Sequence, residues 1–152
     1  MNIPPRGRGI GTGESKEHLL LKSYVALHPE SVLNEPDVRT IKVEYQFPTG
    51  DRADILLEDE FGRVIGMEIE VNVEDNQFEG LLQAIKYRYM SELITDRTPG
   101  DSRAILVAYR ISQNMKCLCE KYHIQYIEIE KHIIEKWSSS KEGIAAIAEQ
   151  RH

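Results

Sequence analysis

The segment 51–71 constrains the fold more than any other part of the sequence, because it predicts two adjacent strands that both carry acidic residues. Its first half contains Asp54 before an apolar run, and its second half alternates apolar residues with Glu68 and Glu70. A period of two places both glutamates on one face of a strand. The intervening turn, residues 59–62, is short, so the register of the hairpin should bring Asp54 close to Glu68.

Three carboxylates on one face of a sheet repel one another unless a cation lies between them. Oxygen ligands of this kind are preferred by hard divalent cations such as Mg²⁺. We therefore predict a divalent-metal site formed by Asp54, Glu68 and Glu70.

Length and composition are those of one globular domain: 152 residues, of which 41% are hydrophobic. Residues 1–13 are rich in Gly, Pro and Arg, which predicts a flexible N-terminal arm before a single domain at 14–152. No apolar run approaches membrane-spanning length and the N-terminus lacks a signal-peptide core, so we expect a cytoplasmic protein with no membrane partner. The net charge of −6 argues against a nucleic-acid binder held only by a basic surface, although bound metal would neutralise several acids.

Hydrophobic periodicity predicts an α/β fold. The predicted helices are 14–28, 78–94, 112–122, 131–137 and 142–150, and the predicted strands are 38–47, the two strands of 51–71, 103–109 and 123–130. An antiparallel meander followed by a strand reached through a crossover helix forms an α/β/α sandwich. The apolar stripe of the helix 78–94 should face its core. That stripe consists of Phe78, Leu81, Leu82, Ile85, Tyr89 and Leu93.

Histidine and cysteine show no pattern of a metal site in the sequence. The five histidines lack ligand spacing with one another and with the cysteines, so we predict scattered surface or interface residues. Cys117 and Cys119 are predicted to be half-buried free thiols on a helix in a reducing compartment. In the first helix, the dipole of the N-terminal turn explains both Glu14 and Glu17, but Glu17 is also a candidate for the edge of the metal cluster.

The order of the elements, with Asp54 on the second strand and Glu68 and Glu70 on the third, resembles the PD-(D/E)xK nuclease superfamily. The next helix carries Gln83 and Tyr87, a spacing similar to the Gln-x-x-x-Tyr motif of the RecB-like branch. The resemblance covers most of the chain. It implies a restriction-endonuclease-like α/β/α sandwich with the core order αβββαβ, an additional αβ unit and C-terminal helices.

The resemblance also implies an activity: hydrolysis of phosphodiester bonds by a metal-dependent endonuclease that uses Mg²⁺ or Mn²⁺ and acts on DNA more than on RNA. The implied catalytic residues are Glu17, Asp54, Glu68, Glu70, Gln83 and Tyr87, and the implied metal ligands are Asp54, Glu68, the Ile69 backbone carbonyl and Glu70. Glu17 matches the acidic residue on the family's first helix. Gln83 and Tyr87 would hold the phosphate or the attacking water.

One position departs from the family pattern, because Glu70 stands where the motif lysine is usual. Some restriction enzymes of the superfamily carry Glu there and remain active, while in other relatives the lysine has moved to the next helix, where Lys86 could replace it. Lys86 and Arg52 are both candidates for stabilising transition-state charge. A third reading is a catalytically inactive nuclease fold that binds nucleic acid or a protein partner.

Two further expectations concern assembly and the remaining alternative. Small single-domain nucleases often pair to cut two strands, which favours a homodimer. A plain structural domain, in which Glu68 and Glu70 merely face solvent, would show no stabilisation by Mg²⁺ or Mn²⁺.

Overall fold

The computed structural model describes residues 14–95 and 102–150, without the side chains of residues 94, 95 and 150. The elements in chain order are α1 Lys16–Leu27, α2 Pro29–Leu33, β1 Arg39–Gln46, β2 Arg52–Glu58, β3 Val64–Ile69, β4 Asn72–Val73, α3 Glu79–Thr95, β5 Arg103–Ala108, β6 Arg110–Ile111, α4 Gln113–Lys121, β7 Gln125–Glu128, α5 Lys131–Ser138 and α6 Lys141–Gln150. Ser15 and Ser112 cap α1 and α4, because each side chain accepts a hydrogen bond from a backbone N–H in the first turn.

Five strands form the main sheet in the order β1-β2-β3-β5-β7. The first three are antiparallel, and β5 and β7 continue the sheet in parallel with β3. Leu21 and Val25 of α1 and Ile134 of α5 pack on one face, whereas Leu81 of α3 and Met115 of α4 pack on the other. These layers confirm the predicted α/β/α sandwich.

The predicted hairpin forms between β2 and β3. The chain reverses at Gly62, whose φ of 75° lies in the left-handed region that glycine adopts without steric cost. The ladder runs from the turn as far as the pair Ile55 and Met67. The next residues along the two strands are therefore Asp54 and Glu68, as the short turn predicts.

Strand β5 is buried on both faces, as its continuous apolar run predicts. Ile105 and Val107 belong to the core under α1, whereas Leu106 belongs to the core under α3 and α4. The parallel pairing places Ile69 of β3 beside Val107. The end of β3 that carries the acidic residues is thus paired with the buried strand β5.

Two short elements differ from the sequence-based expectations. Pro29 follows the end of α1, as predicted, but it also begins α2, because proline is favoured at the first position of a helix. The polar segment 72–77 does interrupt the main sheet. Asn72 and Val73 nevertheless pair in parallel with β6 and form a separate two-stranded sheet.

Helix α3 has the predicted extent, but most of its apolar stripe does not face the core. Leu81 is 3% exposed, as expected for a core position. Phe78, Leu82, Tyr89 and Leu93 lie on the outside, with exposures between 47% and 81%. The predicted orientation of this stripe is therefore wrong for four of its residues.

Small residues explain why the other face of α3 is buried. A Cβ atom placed on Gly80 would lie 3.0 Å from Glu70 Cγ and 3.2 Å from Leu106 Cδ1, so glycine at this position favours a close approach of the helix to the sheet. Ala84 and Tyr87 follow on the same face and are almost completely buried. The inner face of α3 thus combines close approach of the backbone at Gly80 with the burial of Tyr87.

Several sequence-based expectations concern the chain as a whole. In the part of the chain that the structure describes, no helix is long and apolar enough to cross a membrane. The thiols are free, but Cys117 is exposed and Cys119 is buried, and burial raises the pKa of Cys119 to about 11. Residues 1–13 lie outside the described residues, so the flexible arm and the domain boundary stay predictions.

An ion-pair cluster stabilises the end of the sheet remote from Asp54. Arg103 donates two hydrogen bonds to Glu35, at 2.8 and 2.7 Å, and one to Asp59 at 3.2 Å. The hydrogen bond from Arg103 holds the pKa of Glu35 below its usual range. Burial raises the pKa of Asp59, but hydrogen bonds from Arg63 and Arg103 outweigh it and leave the pKa lowered.

This cluster should make the fold sensitive to acid. The pKa values of both carboxyl groups are lower in the folded state than in the unfolded state, where they are about 4. The cluster therefore stabilises the fold fully above the unfolded pKa, and this stabilisation is lost as the pH falls through the pKa values of the folded state. We expect the Tm of the Glu35→Gln variant to fall less than that of the wild type between about pH 5 and about pH 3. Calorimetric scans of both proteins measure the difference, and parallel curves would exclude Glu35 as a source of the acid sensitivity.

Candidate active site

Two buried carboxylates, Asp54 of β2 and Glu68 of β3, follow the last pair of the ladder that joins the two strands. Asp54 is 6% exposed and Glu68 is 1% exposed. The backbone N–H of Ile69 donates to Asp54 Oδ2 at 2.8 Å, which fixes this carboxylate beside the residue that follows Glu68. Burial of a carboxylate costs free energy unless hydrogen bonds or a cation compensate its charge. Packing alone therefore does not explain why these two carboxylates are buried.

Tyr87 reaches the same end of the sheet from α3. Its hydroxyl oxygen lies 2.6 Å from Glu68 Oε2 and 2.7 Å from the Arg52 carbonyl oxygen. Its ring stacks on Phe47, with centroids 5.7 Å apart. The approach requires a glycine at position 66, because a Cβ there would lie 2.6 Å from Tyr87 Cβ. The structure thus brings Tyr87 into contact with one of the predicted metal ligands.

Gln83 lies one helical turn before Tyr87 on α3. Its Oε1 atom is buried and has no hydrogen-bond partner among the residues described. A buried acceptor without a donor is destabilising, and such atoms in native proteins are often satisfied by water or a ligand. Gln83 Oε1 is therefore a suitable acceptor for a bound water.

Glu70 follows directly after β3, where its backbone N–H donates to the Val107 carbonyl at 2.8 Å. Its side chain lies against the first turn of α3, since a Cβ on Gly80 would be 3.1 Å from Glu70 Oε1. Glu70 also lines an open cavity of about 470 Å³, together with Asn72 and Gln77 among other polar residues. The carboxylate is thus half-buried at the border between the sheet and an open cavity.

The two candidate cations pair with acids on the neighbouring turn and strand. Lys86 Nζ lies 3.6 Å from Asp51 Oδ1, and Arg52 Nη1 lies 3.9 Å from Glu44 Oε2. Both side chains are about half exposed. They place positive charge on the surface of α3 and at the start of β2.

His18 is a residue of the site that the sequence analysis misses. Its Nε2 atom lies 2.9 Å from the Ile69 carbonyl oxygen and 3.7 Å from Asp54 Oδ2. The prediction that all five histidines are scattered surface or interface residues is therefore wrong for His18, which is 7% exposed. Its position in the core-facing pattern with Leu21 and Val25, at intervals of three and four, is the signal that could have identified it.

Glu17 does not lie at the edge of the cluster, so this prediction is corrected. Its side chain is half exposed, and Oε1 lies 3.4 Å from Lys131 Nζ on α5. The helical period explains the error, because successive residues on a helix point about 100° apart. When His18 faces the sheet, Glu17 faces the C-terminal helices instead.

A buried ammonium group completes this side of the site. Lys22, one turn after His18 and 2% exposed, lies 2.5 Å from Glu14 Oε1 and 2.9 Å from Glu44 Oε1. Burial lowers the pKa of Lys22, but the hydrogen bonds and negative charges of Glu14 and Glu44 outweigh it and leave the pKa raised. Lys22 is therefore charged at neutral pH.

The donors at this end of the sheet fit a divalent cation in kind. Asp54, Glu68 and the Ile69 carbonyl supply oxygen, and His18 supplies a nitrogen, which suits Mn²⁺ better than Mg²⁺. Across residues 14–95 and 102–150, no three His, Cys, Asp or Glu side chains converge closely enough to form a metal-binding group. Binding of an ion would therefore replace the hydrogen bonds made by these side chains with metal contacts.

A family model, described as the endonuclease NucS C-terminal domain, matches residues 19–144. This chain belongs to that family. The matched range of the NucS C-terminal domain includes all the candidate residues of β2, β3 and α3, whereas Glu14 and His18 immediately precede it. No curated protein gives a significant match.

Three solved structures resemble this member of the NucS C-terminal domain family. A complex of EndoMS with double-stranded DNA is 19% identical with a TM-score of 0.64, covering 82% of this chain and 49% of that chain. A repair endonuclease from Pyrococcus abyssi is 21% identical with a TM-score of 0.61, covering 77% and 47%. EndoMS in its apo form is 22% identical with a TM-score of 0.57, covering 77% and 48%. These similarities show the fold, and the present chain spans about half the length of the three proteins.

Proposed function

We propose that this chain is a divalent-metal-dependent endonuclease that hydrolyses phosphodiester bonds in DNA with Mg²⁺ or Mn²⁺. The observation that carries the proposal is the buried pair Asp54 and Glu68, at facing positions of two adjacent strands just beyond their ladder. Membership in the NucS C-terminal domain family supports it. Placement in the RecB-like branch is part of the proposal and is supported by Gln83 and Tyr87 on α3.

The ion would be held by Asp54, Glu68, the Ile69 carbonyl and His18. A bound divalent ion lowers the pKa of a coordinated water and offsets the charge that develops on the phosphate. The chain itself orients the donors. The Ile69 N–H orients Asp54, and the Tyr87 hydroxyl contacts Glu68.

Glu70 takes the place of the motif lysine as a further ligand or as the base that accepts the proton of the attacking water. Its half-buried position beside a cavity supports either role, because water can reach its carboxylate. Gln83 Oε1 would accept a hydrogen bond from that water. Lys86 and Arg52 would supply the positive charge that the lysine contributes in relatives.

DNA is the proposed substrate because one structurally similar protein, EndoMS, is seen in complex with double-stranded DNA. Since the chain spans about half of that protein, activity of this domain on its own is part of the proposal. A cytoplasmic location is also proposed, and the free thiols Cys117 and Cys119 support a reducing compartment.

The proposal is tested by cleavage assays on single- and double-stranded DNA and RNA in Mg²⁺, Mn²⁺ or EDTA. We expect DNA cleavage with either ion and none in EDTA. Thermal melting supplies a second measurement, since an ion present at 100 times its Kd stabilises the folded state by about 2.7 kcal/mol. Absence of both cleavage and stabilisation would favour the alternative, an inactive nuclease fold that binds nucleic acid or a protein partner.

A homodimer is the last part of the proposal. The exposed apolar residues on and next to α3 are arranged symmetrically in sequence about the point between Ile85 and Lys86, because Phe78 and Leu93 are equally far from that point, and so are Leu82 and Tyr89. A two-fold axis at that point would pack Phe78 against Leu93, and Leu82 against Tyr89, of an antiparallel second copy. We expect sedimentation of a dimer that Leu82→Glu converts to a monomer, and a monomeric wild type would contradict this arrangement.

A further inference from the structure

One carboxylate oxygen of Glu14 contacts two other side chains. His18 Nδ1 lies 2.6 Å from Glu14 Oε1, and Lys22 Nζ lies 2.5 Å from the same atom. Lys22 Nζ also donates to Glu44 Oε1 at 2.9 Å. An ammonium group that is almost completely buried needs such partners, because removal from water is costly. The contacts form a continuous chain from β1 through α1 to the imidazole.

The other edge of the imidazole ring faces the site. His18 Nε2 lies 2.9 Å from the Ile69 carbonyl oxygen and 3.7 Å from Asp54 Oδ2. The ring is therefore held at both nitrogens, by Glu14 on one side and by the end of β3 on the other. In metal sites, the hydrogen bond at one ring nitrogen sets the orientation of the other nitrogen toward the ion.

The backbone of Glu44 indicates that this arrangement is maintained at a cost. Its φ is 56°, a left-handed conformation that is unusual for a residue inside a strand. The ladder between β1 and β2 pairs Val43 with Ile55 and Tyr45 with Ala53, so Glu44 stands opposite Asp54. Strained backbone positions persist where the surrounding contacts compensate them. Here the carboxylate contacts the buried ammonium of Lys22.

We propose that Glu14 and Lys22 are positioning residues of this site: Glu14 fixes the His18 ring, and Lys22 fixes Glu14 while anchoring it to β1 through Glu44. The inference rests on the proposed function, because it treats His18 as a metal ligand. It goes further by assigning a role to Lys22 of α1 and to Glu14, which precedes the helix cap, although neither touches the predicted ion or the substrate.

The test compares the metal affinity and the ring environment of His18 in Glu14→Gln and wild-type protein. The substitution keeps the size of the side chain and removes its charge, so the helix should fold. We expect the Kd for Mn²⁺, measured calorimetrically, to rise about 10-fold to 100-fold. We also expect faster carbethoxylation of His18 in metal-free protein, measured by peptide mass spectrometry. Glu120→Gln is the matched control, because Glu120 contacts Tyr126 through an exposed hydrogen bond remote from α1.

Lys22 is tested by a pair of variants that separates position from stability. Lys22→Met removes the donor, and we expect weaker Mn²⁺ binding. Lys22→Arg retains a buried donor and should recover most of the affinity, although both variants lower the Tm. Equal affinity in these two variants at equal Tm would contradict the positioning role.

The outcomes separate this inference from the proposed function. Wild-type affinity and unchanged protection of His18 in Glu14→Gln would overturn the inference and leave the nuclease proposal standing. If the wild type binds no Mn²⁺, the nuclease proposal fails, and the carbethoxylation rates alone decide whether Glu14 positions the ring. Faster modification in Glu14→Gln but not in Glu120→Gln supports it.

Discussion

Replacing Asp54 by asparagine is expected to lower metal-dependent DNA cleavage by about 1000-fold, since a bound ion contributes several kcal/mol to the stabilisation of the transition state. Asparagine retains an oxygen that accepts from the Ile69 N–H, so the local structure should persist. It removes the negative charge that binds the ion. The measurement is kcat/KM on DNA in Mn²⁺, with the Tm recorded for each protein.

Asp37→Asn is the matched control for this substitution. Asp37 is exposed and has a φ of 56°, a conformation that asparagine also adopts readily, so its activity should equal that of the wild type. Undiminished cleavage by Asp54→Asn would exclude Asp54 from the site. Glu70→Gln in the same assay distinguishes two roles, because a lost ligand weakens Mn²⁺ binding, whereas a lost base lowers kcat at unchanged affinity.

The strands can be predicted from the sequence because each of their hydrophobic patterns is compatible with one arrangement. Alternation with a period of two identifies β3, and the short turn sets its register with β2, which brings Asp54 and Glu68 to facing positions next to the pair Ile55 and Met67. The uninterrupted apolar run of β5 has no polar face, so the strand is buried on both sides. These predictions need no knowledge of distant contacts.

The orientation of α3 cannot be predicted in this way, because the helix has two apolar faces. The face that includes Leu82 and Leu93 lies outside. The inner face is determined by the surface it meets, where Gly80 allows contact with Leu106 and where position 66 of β3 leaves room for Tyr87. That complementarity joins residues far apart in sequence, so no local period reveals it.

His18 is missed for a related reason. A search for metal ligands by spacing compares histidines with cysteines and other histidines, but the partners of His18 are Glu14, Asp54 and a backbone carbonyl. Every residue has a backbone carbonyl, so the residue type does not show which carbonyl contacts a histidine. The helical phase that turns His18 toward the sheet also turns Glu17 away, so the two errors have one cause.

Gly66→Ala is expected to destabilise the fold by about 3 kcal/mol, because the added Cβ would lie 2.6 Å from Tyr87 Cβ, and an overfilled core must shift its backbone. For a chain of this size we expect the Tm to fall by roughly 6–12 °C. The ring cannot rotate away from a contact made by its own Cβ, so α3 as a whole must move from β3.

The same substitution should weaken the site as well as the fold. Movement of α3 separates the Tyr87 hydroxyl from Glu68 Oε2, now 2.6 Å away, and removes one of the contacts that hold this buried carboxylate. Tyr87→Phe is the matched comparison, because it removes the hydroxyl contact and keeps the packing. We expect Gly66→Ala to lower both the Tm and kcat, and Tyr87→Phe to lower kcat with a smaller change in Tm. If Gly66→Ala had the same Tm as the wild type, β3 and α3 would have to lie far enough apart to accommodate the added Cβ.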